Sequence, residues 1–270
     1  MFIIASQPAG HEFYWHEITG MNSTGGGRAA DFSLVDVLYV IPGGGPGIAG
    51  DAFPLWARER AAAAFDDWKS EVRCRPRRRA AAPSCAFLAL SCGSLNAPSA
   101  RMADGRSLFE SMATVRFLEE SGVPARMIIA ESFSWDTVTN ALALRWTVEA
   151  ISAVRVAAPG FELRVWISDF HAERFEANAR WALGVLPSLL NGAKPRISLS
   201  MRPVPSESFA DPAARAERMA HEARGAETAR ENAVRVRTIH DLQAFVLLGG
   251  HAGLWDYMHR RHAPSKGAGW

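Results

Sequence analysis

Between about residues 34 and 205, short, mostly apolar runs alternate with longer segments of helical periodicity, and few architectures accommodate that order. The runs Val37–Ile41, Cys85–Ser91, Arg126–Ala130, Leu163–Ile167 and Arg196–Met201 have the length of strands. In Val37–Ile41 the apolar residues are continuous rather than alternating, the mark of a strand covered on both faces. Leu55–Val72, Phe109–Ser121, Asn140–Ile151 and Ala172–Leu186 carry helical apolar spacing between them. A strand, a helix and a second strand in succession make a parallel pair. The expected fold is therefore a Rossmann-like α/β three-layer sandwich, with a mainly parallel sheet of about five strands. Residues 1–33, with the cluster Gly25-Gly26-Gly27, are expected to form a flexible N-terminal arm. Residues 206–270 are expected as a helical C-terminal extension packed on the same domain, helical from Asp211 to Gly249 and loose from His262 onward.

Composition narrows the classes. The chain has 270 residues, 48% of them hydrophobic and 21% charged, enough for one substantial core. Its formal net charge of +2 demands neither a nucleic acid nor an acidic membrane surface as partner. The run Arg77-Arg78-Arg79 lacks interleaved aromatic residues and reads as a solvated insertion loop. Cys74, Cys85 and Cys92 form no CxxC pair and read as free thiols of a reducing compartment. The first residues lack a basic segment and an apolar stretch of signal-peptide length, and no later run has membrane-spanning length. The expectation is a cytoplasmic protein without a membrane anchor.

In a parallel sheet the ligand crevice lies beyond the carboxyl ends of the strands. Four of the five runs empty into small or reactive polar residues: Gly43, Gly44 and Gly45; Ser91, Cys92, Gly93 and Ser94; Glu131 to Ser134; and Ser168 to His171. Gly45-Pro46-Gly47-Ile48-Ala49-Gly50 has the spacing of a dinucleotide fingerprint. The second strand, however, ends in Cys92-Gly93-Ser94, where that fold wants an acid for the ribose. What remains is a turn whose backbone N–H groups can approach an anion. Ser134, Thr137 and Asn140, three apart, wind along the first turns of a helix for which Ser134 or Asp136 is the N-cap. His171 and Arg174 open the next helix. An imidazole moves protons near neutrality and a guanidinium grips a phosphate or carboxylate, whereas the structural alternative is a cap beside an Arg174 pair with Glu173 or Glu176. Asp169 is placed either to orient His171 or to cap the helix. Glu217/His221 and His259/His262 supply no recognised set of metal ligands, and Gly249-Gly250-His251 is a possible edge of the crevice.

Five elements in order resemble the domain of unknown function shared by SanA, YdcF and ElyC, over about residues 35–185. They are Asp36 to Gly45; Leu90-Ser91-Cys92-Gly93; Glu110 with Gly122-Val123-Pro124; Glu131-x-x-Ser134-x-x-Thr137-x-x-Asn140-Ala141; and Ser168-x-x-His171-x-x-Arg174. The resemblance implies a Rossmann-like domain with a polar pocket at the strand ends, in a family linked to envelope and peptidoglycan precursor metabolism and often membrane-anchored. Ser91-Cys92-Gly93 stands where that family usually shows Ser-Gly-Gly, and the Arg-rich insertion is extra.

Taken with the residues, this leads to two expectations. The first is an enzyme, by hydrolysis or group transfer, of an anionic, phosphate-containing or nucleotide-like small molecule. In it Gly43, Gly44, Gly45, Ser91, Gly93, Ser94, Ser134, Thr137, Asn140, Ser168 and Arg174 bind, and His171, Glu131 and Asp169 do the chemistry. The second is a non-catalytic regulatory domain for a nucleotide or S-adenosylmethionine. No cofactor is specified by the sequence.

Overall fold

A computed structural model describes residues 35–44, 53–74, 84–94, 108–154, 160–190, 196–206, 212–248 and 251. The apolar runs become strands β1 (Val35–Ile41), β2 (Ser84–Ala89), β3 (Ile128–Ala130), β4 (Gly160–Ser168) and β5 (Arg196–Val204). The periodic segments become helices α1 (Leu55–Cys74), α2 (Glu110–Glu120), α3 (Thr137–Val154), α4 (Ala172–Gly184), α5 (Pro212–Arg235) and α6 (Ile239–Leu247). Every strand pairs in parallel with its neighbours, in the order β3-β2-β1-β4-β5. β1 lies at the centre, where Val40 is in register with Leu88 on one side and Val165 on the other.

Alternating side chains of a strand point to opposite faces, so β1 feeds two cores. Leu38 and Val40 join Leu88 and Val165 under Leu144 and Val148 of α3 and Phe175 and Leu183 of α4. Tyr39 and Ile41 join Phe87 under Ala61 and Ala64 of α1 and Leu118 of α2. This is a Rossmann-like three-layer α/β fold. Arg164 of β4 fastens α1 to the sheet through Asp67 at 3.1 Å and Glu71 at 2.5 Å. Arg145 of α3 is fully buried and donates to the carbonyls of Ala182, Leu183, Val185 and Pro187, capping the C-terminal end of α4.

β4 and β5 run a few residues beyond the expected Leu163–Ile167 and Arg196–Met201, and two further differences from the sequence expectation have a visible cause. The third strand is shorter than Arg126–Ala130, because Ala125–Met127 closes into a 3-10 turn with the Met127 amide bonded to the Pro124 carbonyl. The stretch from Asp211 to Gly249 is two helices, interrupted at Val236-Arg237-Thr238, where Thr238 and Asp241 form a reciprocal capping box and start α6. Leu242 and Val246 of α6 pack on Trp181 of α4 and Leu142 of α3, which ties the extension to the domain. Among the described residues no helix is long and apolar enough to cross a membrane.

From β1 the chain builds outward through β2 and β3, then returns past β1 to place β4 and β5 on its other side. The strand order reverses between β1 and β4. In open α/β sheets that switch point is where the two connections part and leave a crevice.

Candidate functional site

Two groups of residues occupy the carboxyl edge of the sheet, and they differ in how completely their polar atoms are used. Beyond β2 and β3, Glu131 is the organiser. Its carboxylate accepts the amides of Ser91 at 3.2 Å and Ser134 at 2.8 Å, and also meets the Phe133 amide and the Ser134 hydroxyl. Ser134, 0% exposed, holds its hydroxyl between Glu131 and the side-chain amide of Asn140, while its carbonyl accepts the Cys92 amide at 2.8 Å. Ser91 is bent to φ 89°, a left-handed conformation costing a non-glycine residue about 1–3 kcal/mol, and the Glu131 bond helps to hold it there. The Ser91 hydroxyl is turned back onto the Gly93 carbonyl at 2.9 Å. Burial pushes the Cys92 thiol well above its ordinary range, with Glu131 and Glu110 adding to the effect, so it stays protonated. This side is a finished scaffold.

Asp136, rather than Ser134, caps α3. Its carboxylate accepts the Thr139 amide at 2.8 Å and meets His251, which stacks on Phe245. Burial alone would raise this carboxyl, but the bonds from His251 and Thr139 outweigh it and hold the pKa below the usual range. His251 thus reaches the base of α3 from beyond α6.

Beyond β4 the situation is different. His171, 6% exposed, places Nε2 3.0 Å from the hydroxyl of Thr137 on α3 and 3.7 Å from the carboxylate of Glu222 on α5. Burial, then the charges of Arg174, Arg60, Arg218 and His221, hold its pKa well below the ordinary imidazole value. The Glu222 carboxylate, at 3.7 Å, does not reverse the shift set by desolvation and the surrounding cations. The ring is neutral at physiological pH. Glu222 is 1% exposed and lies 2.7 Å from Arg218 and 3.6 Å from Arg174. Gly225 lets Arg174 cross α5 closely, since a Cβ there would come within 2.6 Å of the Arg174 Cδ. Asp169 does not orient His171: it accepts the Phe170 amide at 2.8 Å and pairs with Arg215. Arg174 meets Glu222 and His221 rather than Glu173 or Glu176, which bond Arg230 and Arg180.

Beyond β1, Arg60 of α1 is 1% exposed. Its Nε donates to the Trp56 carbonyl at 3.2 Å, and neither terminal nitrogen has a hydrogen-bond partner. Buried donors left unpaired cost about 1–3 kcal/mol each. Burial lowers the pKa of this guanidinium to about 10, with Glu110 and Glu59 working against the shift, so it remains charged at neutrality. It lies against Gly44, where a Cβ would fall 2.1 Å from Nη2, and Trp56 donates to the Gly44 carbonyl at 3.2 Å. Gly43 is as tightly placed, a Cβ there falling 2.2 Å from the Cβ of Ser91 and 2.3 Å from a Glu110 oxygen. The buried hydroxyls of Ser168 and Ser206, at the ends of β4 and β5, also lack partners.

The expected residues therefore separate. Thr137, His171 and Arg174 come together, with Gly43, Gly44 and Ser168 at neighbouring strand ends. Glu131, Ser134, Asn140, Ser91 and Gly93 are spent on the loop framework, Ser94 is half-buried, and Gly45 lies outside the described residues. Glu217 and His221 are exposed on α5, and no group of three or more His, Cys, Asp or Glu fit to hold a metal ion occurs among the described residues. Arg60, Arg218 and Glu222 were not foreseen. The signal for two of them was periodicity: Arg60 shares a stripe with Ala57, Ala61 and Ala64, and Glu222 one with Ala226 and Ala229, all buried. A charge on an apolar stripe is a buried charge.

Comparison with known proteins returns no match from family models, curated proteins or solved structures.

Proposed function

We propose that this chain is an enzyme that acts, by hydrolysis or group transfer, on a phosphate-containing or nucleotide-like small molecule bound beyond β1 and β4. The observation that carries the reading is a buried, neutral imidazole in contact with a hydroxyl and ringed by guanidinium groups at the switch point of the sheet. A neutral His171 is ready to act as a base. In hydrolysis, water attacks phosphorus, the bond to the leaving oxygen breaks with its electron pair, and the water proton passes to Nε2 and then to that oxygen. Thr137 and Arg174 hold the anion and Arg174 offsets the charge that develops on it. The resemblance to the SanA, YdcF and ElyC domain rests on several of these residues and supports the same crevice.

Turnover of phosphomonoesters and nucleoside phosphates by the wild-type chain and by His171→Ala tests this. The variant is expected to lose about 10²–10⁴ in kcat, the usual contribution of a general acid or base. Unchanged turnover in the variant sinks the mechanism.

One observation favours a second reading, a non-catalytic nucleotide- or S-adenosylmethionine-binding regulatory domain. Two of the side-chain nucleophiles near the strand ends are disarmed: the Ser134 hydroxyl is held by Glu131 and Asn140, and the Cys92 thiol is kept protonated. Nucleotide or S-adenosylmethionine that binds, and is recovered intact by mass spectrometry after long incubation, selects this reading.

A further inference from the structure

We infer that Arg60 is the anchor for a phosphoryl group of the ligand, in a subsite formed with the Gly43-Gly44 backbone at the end of β1 and separate from the Thr137, His171 and Arg174 cluster. The inference rests on the phosphate-ligand reading above and deepens it. A guanidinium has five N–H donors in a planar fork, and here only Nε is used. The four donors of Nη1 and Nη2 are withdrawn from water without partners, while the group stays charged. Two oxygens of one phosphoryl group match that fork.

Three further features agree. Gly44 lets the backbone at the end of β1 come close to the fork, because a Cβ there would fall 2.1 Å from Nη2. Trp56 fixes the Gly44 carbonyl and, through its own carbonyl, the Arg60 Nε, so loop and guanidinium are held by one residue. Arg60 also contributes to the depression of the His171 pKa, which places its charge within electrostatic reach of the imidazole. A ligand lying across the switch point would thus set a phosphoryl group on Arg60 and its reacting centre towards His171. Glu110 and Glu59 offset part of the Arg60 charge, and Glu110 beside Gly43 bounds the subsite on the β2 side.

Calorimetric titration of the full chain with inorganic phosphate and with AMP tests the assignment in the wild type, Arg60→Met, Arg60→Lys and Arg174→Ala, with melting temperature measured for each. Arg60→Met is expected to weaken phosphate binding at least tenfold while melting no earlier than the wild type by more than a few degrees. Arg60→Lys keeps a charge but loses the fork, and is expected to fold normally and bind about tenfold more weakly. A phosphate affinity unchanged in Arg60→Lys, or an Arg60→Met chain that fails to fold, identifies a structural arginine and overturns the assignment. Loss of binding in Arg174→Ala but in neither Arg60 variant overturns it too and leaves the proposed function standing. A wild-type chain that binds neither probe overturns both.

Discussion

Arg145 and Arg60 are both withdrawn from solvent, at 0% and 1% exposure, yet their surroundings differ completely. Arg145 donates to four carbonyls at the end of α4 and pairs with Glu149 at 2.6 Å. Arg60 reaches one carbonyl and leaves its terminal nitrogens bare. Burial by itself says nothing about purpose, since a charge can be hidden in order to hold the fold or in order to meet something later. Saturation separates the two. The same contrast divides the strand ends, where Glu131 is fully occupied and the groups beyond β1 and β4 are not.

The sharpest way to break this contrast is Arg145→Met, which removes the donor shared by four carbonyls, three of them buried, and should cost about 3–5 kcal/mol, read from the urea midpoint. A midpoint unchanged from the wild type would remove the structural half of the comparison. Next comes Glu222→Gln, which leaves Arg174, Arg218 and His171 without their carboxylate. A loss of about 1–3 kcal/mol is expected, reduced because Arg218 is partly exposed.

The third test is pH. The folded His171 has a depressed pKa, so between that value and the ordinary imidazole value of about 6.5 the unfolded chain binds a proton that the folded chain refuses. Stability should therefore fall as pH drops below about 6.5, by up to about 1.4 kcal/mol per pH unit from this group. Urea midpoints at about pH 7 and about pH 5 should differ less in His171→Gln than in the wild type. An equal difference in the two chains would show that His171 titrates normally. Smallest of all, Arg60→Met should stay within about 1 kcal/mol of the wild type, because the recovered desolvation of the guanidinium balances the attraction lost by Glu110. A loss as large as that of Arg145→Met would erase the distinction between the two arginines.

The layers were legible because Val37–Ile41 is too short and too uniformly apolar to be anything but a covered strand, Leu163–Ile167 is broken only by Arg164, and the intervening helices keep a clear stripe. The edge strand was overestimated, since Pro124 starts a turn that apolar content cannot reveal. Polar strand ends pointed to the crevice, yet composition could not tell Glu131, whose carboxylate is taken up by amides of its own loop and of Ser91 and by the Ser134 hydroxyl, from a catalytic acid. Glu222 and Arg218 were hidden for another reason. They lie on a helix of mostly exposed, charged residues, and which of those charges turns inward depends on how α5 meets α4, a distant contact with no local signature beyond the Ala226 and Ala229 stripe.

The Arg145 clamp reaches beyond stability. α3 begins with Thr137 and α4 follows directly on His171, and the guanidinium of one helix grips the end of the other. In hydrogen exchange the two helices should therefore open as one cooperative unit, with protection well above that of α5, which buries only Glu222, Ala226 and Ala229. The 3.0 Å contact between hydroxyl and imidazole would then outlast the fluctuations that loosen the helix above it, leaving the cover free to breathe while Thr137 and His171 keep their alignment.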